Sequence, residues 1–87
     1  MSTFVLVHGA WHGAWCWERL ERPLLAQGHE VVTVDLPVAD GTATFVDYRD
    51  AVLANWPDGP HRDVILVGHS LGAMVVPLVA DQRSVLI

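Results

Sequence analysis

The residues best suited to chemistry in this sequence are Gly68-His69-Ser70-Leu71-Gly72, a serine set between two glycines. An uninterrupted apolar run, 64–67, precedes them, and a second apolar segment follows as far as Ala80, which predicts a strand, a tight turn and a helix. A side chain at such a corner is forced outward, beside the first amides of the helix. Ser70 is therefore predicted to be the nucleophile of a nucleophile elbow. The alternative is a turn serine that only caps the helix.

A serine that attacks a carbonyl group needs two amide donors for the oxyanion of the tetrahedral intermediate. The usual pair is the amide after the serine and one from the loop after an early strand. Leu71 and Ala10 are the candidates for these oxyanion-hole amides, because Ala10 follows His8 and Gly9 at the end of a predicted strand. Gly9 and Trp11, in the same loop, are predicted to line the substrate pocket. The alternative for this loop is a plain turn.

Other polar side chains have weaker cases for chemistry. Asp35 ends a predicted strand, where capping a turn is favoured over catalysis. His69 is expected to point away from the neighbouring serine. His8 and His12 are four residues apart but not on a helix, so no metal site is predicted. No cofactor is predicted either, because neither glycine cluster has the spacing of a dinucleotide site or a phosphate-loop lysine.

The elements predicted to position these residues alternate between strand and helix in a single domain, 1–87. They are strand 3–8, helix 15–27, strand 30–35, helix 45–56, strand 63–68, helix 71–81 and strand 84–87. Continuous apolar strands that alternate with helices indicate an α/β fold with a short parallel sheet of three to four strands in a three-layer α-β-α arrangement. The carboxyl ends of these strands meet at one rim, where ligands bind in such sheets.

Local patterns set the predicted helix ends. The helix over 15–27 has apolar residues at three- and four-residue spacing, and Trp15 and Trp17 are assigned mainly to its packing. Gly28 has the position of a C-cap residue, and Thr44 is predicted to be the N-cap of the next helix.

Composition narrows the classes of function. The chain has 87 residues, of which 52% are hydrophobic and 17% are charged. It is therefore rich in core-forming residues for its length, and we expect further chain or a partner surface to cover part of them. A net charge of −5 with no lysine argues against nucleic acid. Cys16 is the single cysteine, so the chain has no internal disulfide that would indicate an oxidising compartment. The first residues also lack the features of a signal peptide, and a cytoplasmic location is therefore expected. Polar and turn residues interrupt the apolar stretch 64–80, so no membrane span is predicted.

Four stretches of the sequence, 4–17, 28–31, 35–37 and 66–74, resemble the α/β-hydrolases, specifically the branch of plant methylesterases and hydroxynitrile lyases. The resemblance covers nearly the whole chain but only about the first third of such a protein. It implies that Ser70 is the nucleophile and that Ala10 and Leu71 supply the oxyanion-hole amides. The acid and the histidine of the triad would follow Ile87. Gly9 stands where hydroxynitrile lyases of this branch carry threonine, which favours ester hydrolysis.

Two functions follow from these observations. In the first, the chain is the N-terminal part of a serine hydrolase acting on a small ester, with an incomplete triad that further chain or a separate polypeptide completes. In the second, it is a catalytically inactive, truncated hydrolase-like module that binds an apolar ligand or self-associates. A sheet cut at this point exposes an edge, which a complementary polypeptide or a second copy would cover. Neither a nucleic acid nor a membrane is an expected partner.

Overall fold

A parallel sheet of three strands forms the centre of the computed structural model, which describes residues 2–57, 63–83 and 87. The strands are β1 (Ser2–Val7), β2 (Glu30–Val34) and β3 (Asp63–Gly68), in the order β2-β1-β3. The helices are α1 (Glu18–Ala26), α2 (Phe45–Ala54) and α3 (Leu71–Ala80), with a 3-10 turn, Ala14–Trp17, before α1. The predicted α/β fold class is confirmed. A fourth strand is predicted over 84–87, and residues 84–86 of it lie outside the described residues.

The strand register divides the sheet side chains between two faces, because successive residues of a strand point to opposite sides. Val5 pairs with Val32 and Leu66, and Leu6 pairs with Thr33 and Val67. We call the side that carries Val5 the closed face and the side that carries Leu6 the open face. The closed face comprises Thr3, Val5, Val7, Val32, Val34, Val64 and Leu66, and the open face comprises Phe4, Leu6, Val31, Thr33, Ile65 and Val67.

The closed face carries the hydrophobic core. Helices α2 and α3 pack against one another and cover this face, and α3 also contacts β1 and β3. The cluster is made almost entirely of valine and leucine from the three strands and the two helices, and its fully buried members include Val5, Leu66, Val52 and Val75. Each such side chain contributes about 1.5–3 kcal/mol when it is removed from water, so this half of the molecule supplies most of the stability.

The open face is covered less completely. Leu6 is fully buried there, but the other members of this face are only half-buried. Helix α1 lies against β2, and none of its residues, all of which the structure describes, is buried. Leu20 and Leu25 of α1 are 42% and 51% exposed. The helix therefore covers this side of the sheet without forming a second core.

Both helix ends singled out from the sequence have the expected chemistry. Thr44 accepts a hydrogen bond from the backbone N–H of Asp47, whose side chain accepts one from the backbone N–H of Thr44, so α2 begins with a capping box. Gly28 follows α1 with φ of 84°, and the hydrogen bonds from Gly28 to the Leu25 carbonyl and from His29 to the Leu24 carbonyl form a Schellman motif. The N-cap prediction for Thr44 is confirmed, whereas the C-cap of α1 is Gln27 and Gly28 lies one residue beyond it, at the C′ position.

The first helix differs from the continuous segment predicted over 15–27. Its opening turn is 3-10, because Asp35 accepts the Ala14 N–H at 2.7 Å and Cys16 donates to the Gly13 carbonyl three residues before it. The α-helical bonds begin only after Trp17. Helix α2 also ends earlier than predicted, because its final hydrogen bonds, at Asn55 and Trp56, reach back three residues rather than four.

Candidate active site

Ser70 occupies a strained corner between β3 and α3. Its backbone has φ of 56° and ψ of −118°, and it is the only non-glycine residue with positive φ in the described part of the chain. Such a conformation costs of order 1–3 kcal/mol and persists only where the surroundings determine it. Here the backbone N–H of His69 donates to the Val7 carbonyl, and that of Gly72 donates to the His69 carbonyl, so both sides of the corner are held.

The glycines of the corner allow α3 to lie against the sheet. A Cβ atom on Gly72 would overlap the carbonyl oxygen of Val7 and lie 2.7 Å from that of His8. A Cβ atom on Gly68 would lie 2.6 Å from the carbonyl oxygen of Gly72 and 2.7 Å from the backbone of Ala73. All of these contacts are with backbone, which cannot move aside as a side chain can. Both positions therefore require glycine.

The loop after β1 reaches the same place. A Cβ atom on Gly9 would lie 3.1 Å from the Cβ atom of Ser70 and 3.3 Å from the His69 carbonyl oxygen. Strands β1 and β3 are neighbours, so their carboxyl ends bring together residues that are far apart in the sequence. The structure therefore brings predicted pocket residue Gly9 against Ser70.

Unused hydrogen-bond donors and an exposed hydroxyl meet at this rim. Ser70 is exposed, and its hydroxyl has no hydrogen-bond partner among the described residues. Within the same residues, no acceptor bonds to the backbone N–H of Ala10 or of Leu71. The Leu71 amide is the first of α3, where the positive end of the helix dipole favours negative charge. The arrangement can present a nucleophilic oxygen beside donors for an anion.

His8 connects the ends of β1 and β2 and is fully buried. Its Nε2 accepts the backbone N–H of Leu36 at 2.9 Å, which places the proton of the neutral ring on Nδ1. Nδ1 then donates to the carbonyl oxygen of Gly9, 2.6 Å away. Both ring nitrogens are therefore satisfied within the protein, as a buried polar group requires.

A cavity of about 220 Å³ lies beside the corner, lined by His12, Cys16, Trp17 and His69. The rings of His12 and His69 meet edge to face with centroids 6.0 Å apart. Burial raises the pKa of the Cys16 thiol, which favours its protonated, unreactive form. Three of the four lining residues have aromatic rings, and the fourth, Cys16, carries a neutral thiol. Such a lining suits a small apolar or aromatic group.

The structure brings together part of the predicted site. Ser70 and Gly9 are in contact range, whereas Trp11 is 93% exposed and does not line this cavity. Its assignment to a substrate pocket remains a prediction. The helix-packing assignment of Trp15 is wrong, because the 3-10 turn leaves its side chain 68% exposed, with its ring 5.5 Å from that of His12. Asp35 caps this turn through Ala14, as its capping interpretation expects.

The cavity residues were not predicted as a group. His12 and His69 follow the ends of β1 and β3, which are adjacent strands, so their meeting could have been found once the strand order was known. The sequence alone does not give that order. No group of residues suited to a metal ion occurs among 2–57, 63–83 and 87, and no helix in those ranges is long and apolar enough to cross a bilayer.

The family model described as "Alpha/beta hydrolase family" matches residues 4–87, so the chain belongs to this family. It is 43% identical to norfluorocurarine synthase 2 of Strychnos sp. over 86 residues, which are 90% of this chain and 32% of that protein. It is 39% identical to methylesterase 2 of Arabidopsis thaliana over 88 residues, with 91% and 34% covered.

A solved structure gives the same relationship. The crystal structure of polyneuridine aldehyde esterase matches with a TM-score of 0.78 and 38% identity, over 94% of this chain and 35% of that one. The chain thus spans about a third of the length of these relatives, and what it covers is the N-terminal portion of the α/β-hydrolase fold.

Proposed function

We propose that this chain supplies the nucleophile and the oxyanion hole of a serine esterase that acts on a small ester. The observation that carries the proposal is the strained backbone of Ser70, with φ of 56° at a strand-to-helix corner. A fold retains such strain where the side chain must be presented in one direction. The unused amides of Ala10 and Leu71, and relatives named as esterases, support the same conclusion.

The proposed reaction is acyl transfer in two steps. The Ser70 Oγ attacks the ester carbonyl carbon, a general base takes its proton, and the carbonyl oxygen becomes an oxyanion that accepts from the amides of Ala10 and Leu71. The intermediate collapses when the alcohol leaves with the proton held by the base. Water then adds to the acyl-enzyme by the same route and releases the acid and Ser70.

The base and the acid that orients it are assigned to polypeptide outside these 87 residues. His8 has both ring nitrogens in hydrogen bonds, so it is not available as the base. The family resemblance implies a histidine and an acid that come after the serine in chain order. Because the chain spans about a third of the length of its relatives, the activity is that of the assembled protein.

A fluorophosphonate probe tests the proposal in a preparation that contains the complementary polypeptide. We expect one adduct, mapped by mass spectrometry to Ser70, and hydrolysis of a short-chain aryl ester. Ser70→Ala should abolish the adduct and lower kcat by at least about 10³-fold. Thr42→Ala, which removes an exposed hydroxyl from another loop, is the matched control and should leave both unchanged. Absence of an adduct on Ser70 would refute the assignment.

The second candidate function is a catalytically inactive module that binds an apolar ligand or self-associates. The half-buried open face and the exposed rings of Trp11 and Trp15 favour it. The fluorophosphonate experiment distinguishes the two functions, because they predict different results. A module without turnover would give neither adduct nor hydrolysis with the complementary polypeptide present, while light scattering would report a dimer or larger assembly.

A further inference from the structure

We propose that His8 is a positioning residue that aims the Ala10 amide into the oxyanion hole. The inference rests on the proposed function, because it assigns a role within the same site. The observation behind it is that a buried imidazole holds the carbonyl group of the very peptide whose N–H is a candidate oxyanion donor.

The geometry of the peptide unit links the two groups. The carbonyl of Gly9 and the N–H of Ala10 belong to one planar unit, and no cis peptide occurs in the described chain, so they point in opposite directions. The Gly9 carbonyl oxygen accepts from His8 Nδ1 at 2.6 Å and from the backbone N–H of His12 at 3.2 Å. Whatever fixes the direction of this oxygen also fixes the direction of the Ala10 N–H.

The opposite side of the ring makes this arrangement rigid. His8 Nε2 accepts the Leu36 N–H at 2.9 Å, which attaches the imidazole to the backbone just after β2. The ring therefore spans from one strand end to the next and cannot turn without breaking a buried hydrogen bond. The Gly9–Ala10 peptide, although it lies in a loop, takes its orientation from the sheet.

Gly9 makes this control necessary. It has no side chain to restrict its backbone, and a side chain there would be crowded by Ser70, since an added Cβ atom would lie 3.1 Å from that of Ser70. Rotation of the peptide plane would turn the Ala10 N–H away from the substrate. A preorganised donor strengthens transition-state stabilisation, whereas a freely rotating one must be ordered during the reaction.

Two substitutions separate positioning from structural support. His8→Asn keeps a donor at the position of Nδ1 and loses the acceptor for Leu36. His8→Gln keeps an acceptor at the position of Nε2 and loses the donor to Gly9. If His8 positions the amide, His8→Gln should lower kcat by about 10- to 100-fold with little change in KM, and weaken a trifluoromethyl ketone inhibitor in parallel. His8→Asn should lose less activity, even if it lowers the melting temperature more.

A second measurement does not depend on activity. Residual dipolar couplings report the direction of the Ala10 N–H, and we expect this direction to change in His8→Gln and to be retained in His8→Asn. A coupling between Leu36 nitrogen and His8 Nε2 in the unsubstituted protein would establish the anchoring bond. If Ser70 took no fluorophosphonate adduct while these couplings behaved as expected, the esterase proposal would fail and the positioning geometry would stand.

The proposal on His8 is overturned by either of two results. One is an Ala10 N–H whose direction is the same in both variants and in the unsubstituted protein. The other is an active esterase in which His8→Asn loses as much kcat as His8→Gln or more, because purely structural support would follow the loss of the Leu36 bond.

Discussion

The two faces of the sheet are built from the same three strands but differ in how completely they are covered. The closed face packs on α2 and α3 and contains the fully buried Val5, Val7 and Leu66. The open face has α1 alone among the described helices, and its Ile65 and Val67 remain half-buried. Hydrophobic strand residues therefore do not by themselves make a core, because a core also requires helices with apolar faces of sufficient area.

This difference extends to the candidate site. Ser70 begins α3, so the nucleophile is carried by the helix on the better packed face. The loop with Trp11 leads into the 3-10 turn that carries Trp15 and then into α1, on the less packed side. The two halves of the site thus rest on supports of different stability, and perturbations of each support should have different consequences.

Replacement of Gly72 by alanine should have the largest effect. The new Cβ atom would overlap the Val7 carbonyl, so α3 must move off the closed face, and we expect a loss of about 3 kcal/mol or more in the free energy of unfolding. Gly41→Ala is the control, because nothing lies within 4 Å of its Cβ position, and it should change stability by less than about 0.5 kcal/mol. Urea unfolding measures both. Equal effects would mean that α3 does not depend on this close approach.

Alanine substitutions at two adjacent residues of β3 should compare the faces directly. Leu66 is fully buried on the closed face, and its replacement should cost about 2–5 kcal/mol through lost burial and an unfilled cavity. Ile65, on the open face, is half-buried, so its replacement should cost about half as much or less. Urea unfolding of the two variants gives the free energies of unfolding that compare the two faces. A larger loss at Ile65 would show that the open face is covered in solution.

Loss of the α2 cap should have the smallest effect. Thr44→Ala removes the acceptor for the Asp47 amide and should lower the free energy of unfolding by about 1 kcal/mol. Thr44→Ser keeps the hydroxyl and should restore most of it. Because α2 belongs to the closed face, the loss should be the same by circular dichroism and by tryptophan fluorescence. Divergence of the two probes would indicate that α2 unfolds separately.

The sequence predicted the elements that depend on local chemistry. Apolar runs without alternation defined the strands, Thr44 and Gly28 defined helix ends, and the two glycines around Ser70 indicated a strand-to-helix corner. Each of these signals lies within a few residues of the feature that it predicts. The same locality explains why the α/β class could be inferred, since only the alternation of elements was needed.

Apart from the local hydrogen bonds that end α2 early, the features that the sequence did not predict depend on contacts between distant segments. The 3-10 turn arises because Asp35 accepts the Ala14 amide, and the exposure of Trp15 follows from that turn. The two hydrogen bonds of His8 require the positions of both β1 and β2. A histidine directly after a buried strand is a weak signal of such a bond, because a buried imidazole needs partners, but it does not identify them.

The parallel pairing of β1 with β3 has a consequence for the order in which the molecule folds. Val7 and Gly68 are register partners although most of the chain separates them, and the Ser70 corner depends on the Val7 carbonyl. Such long-range pairing is slow because it must overcome the entropy of closing a large loop. During synthesis, β1, α1 and β2 emerge from the ribosome before β3 exists. Ser70 can adopt its strained conformation only after the third strand has inserted beside the first, so the site is acquired late in folding.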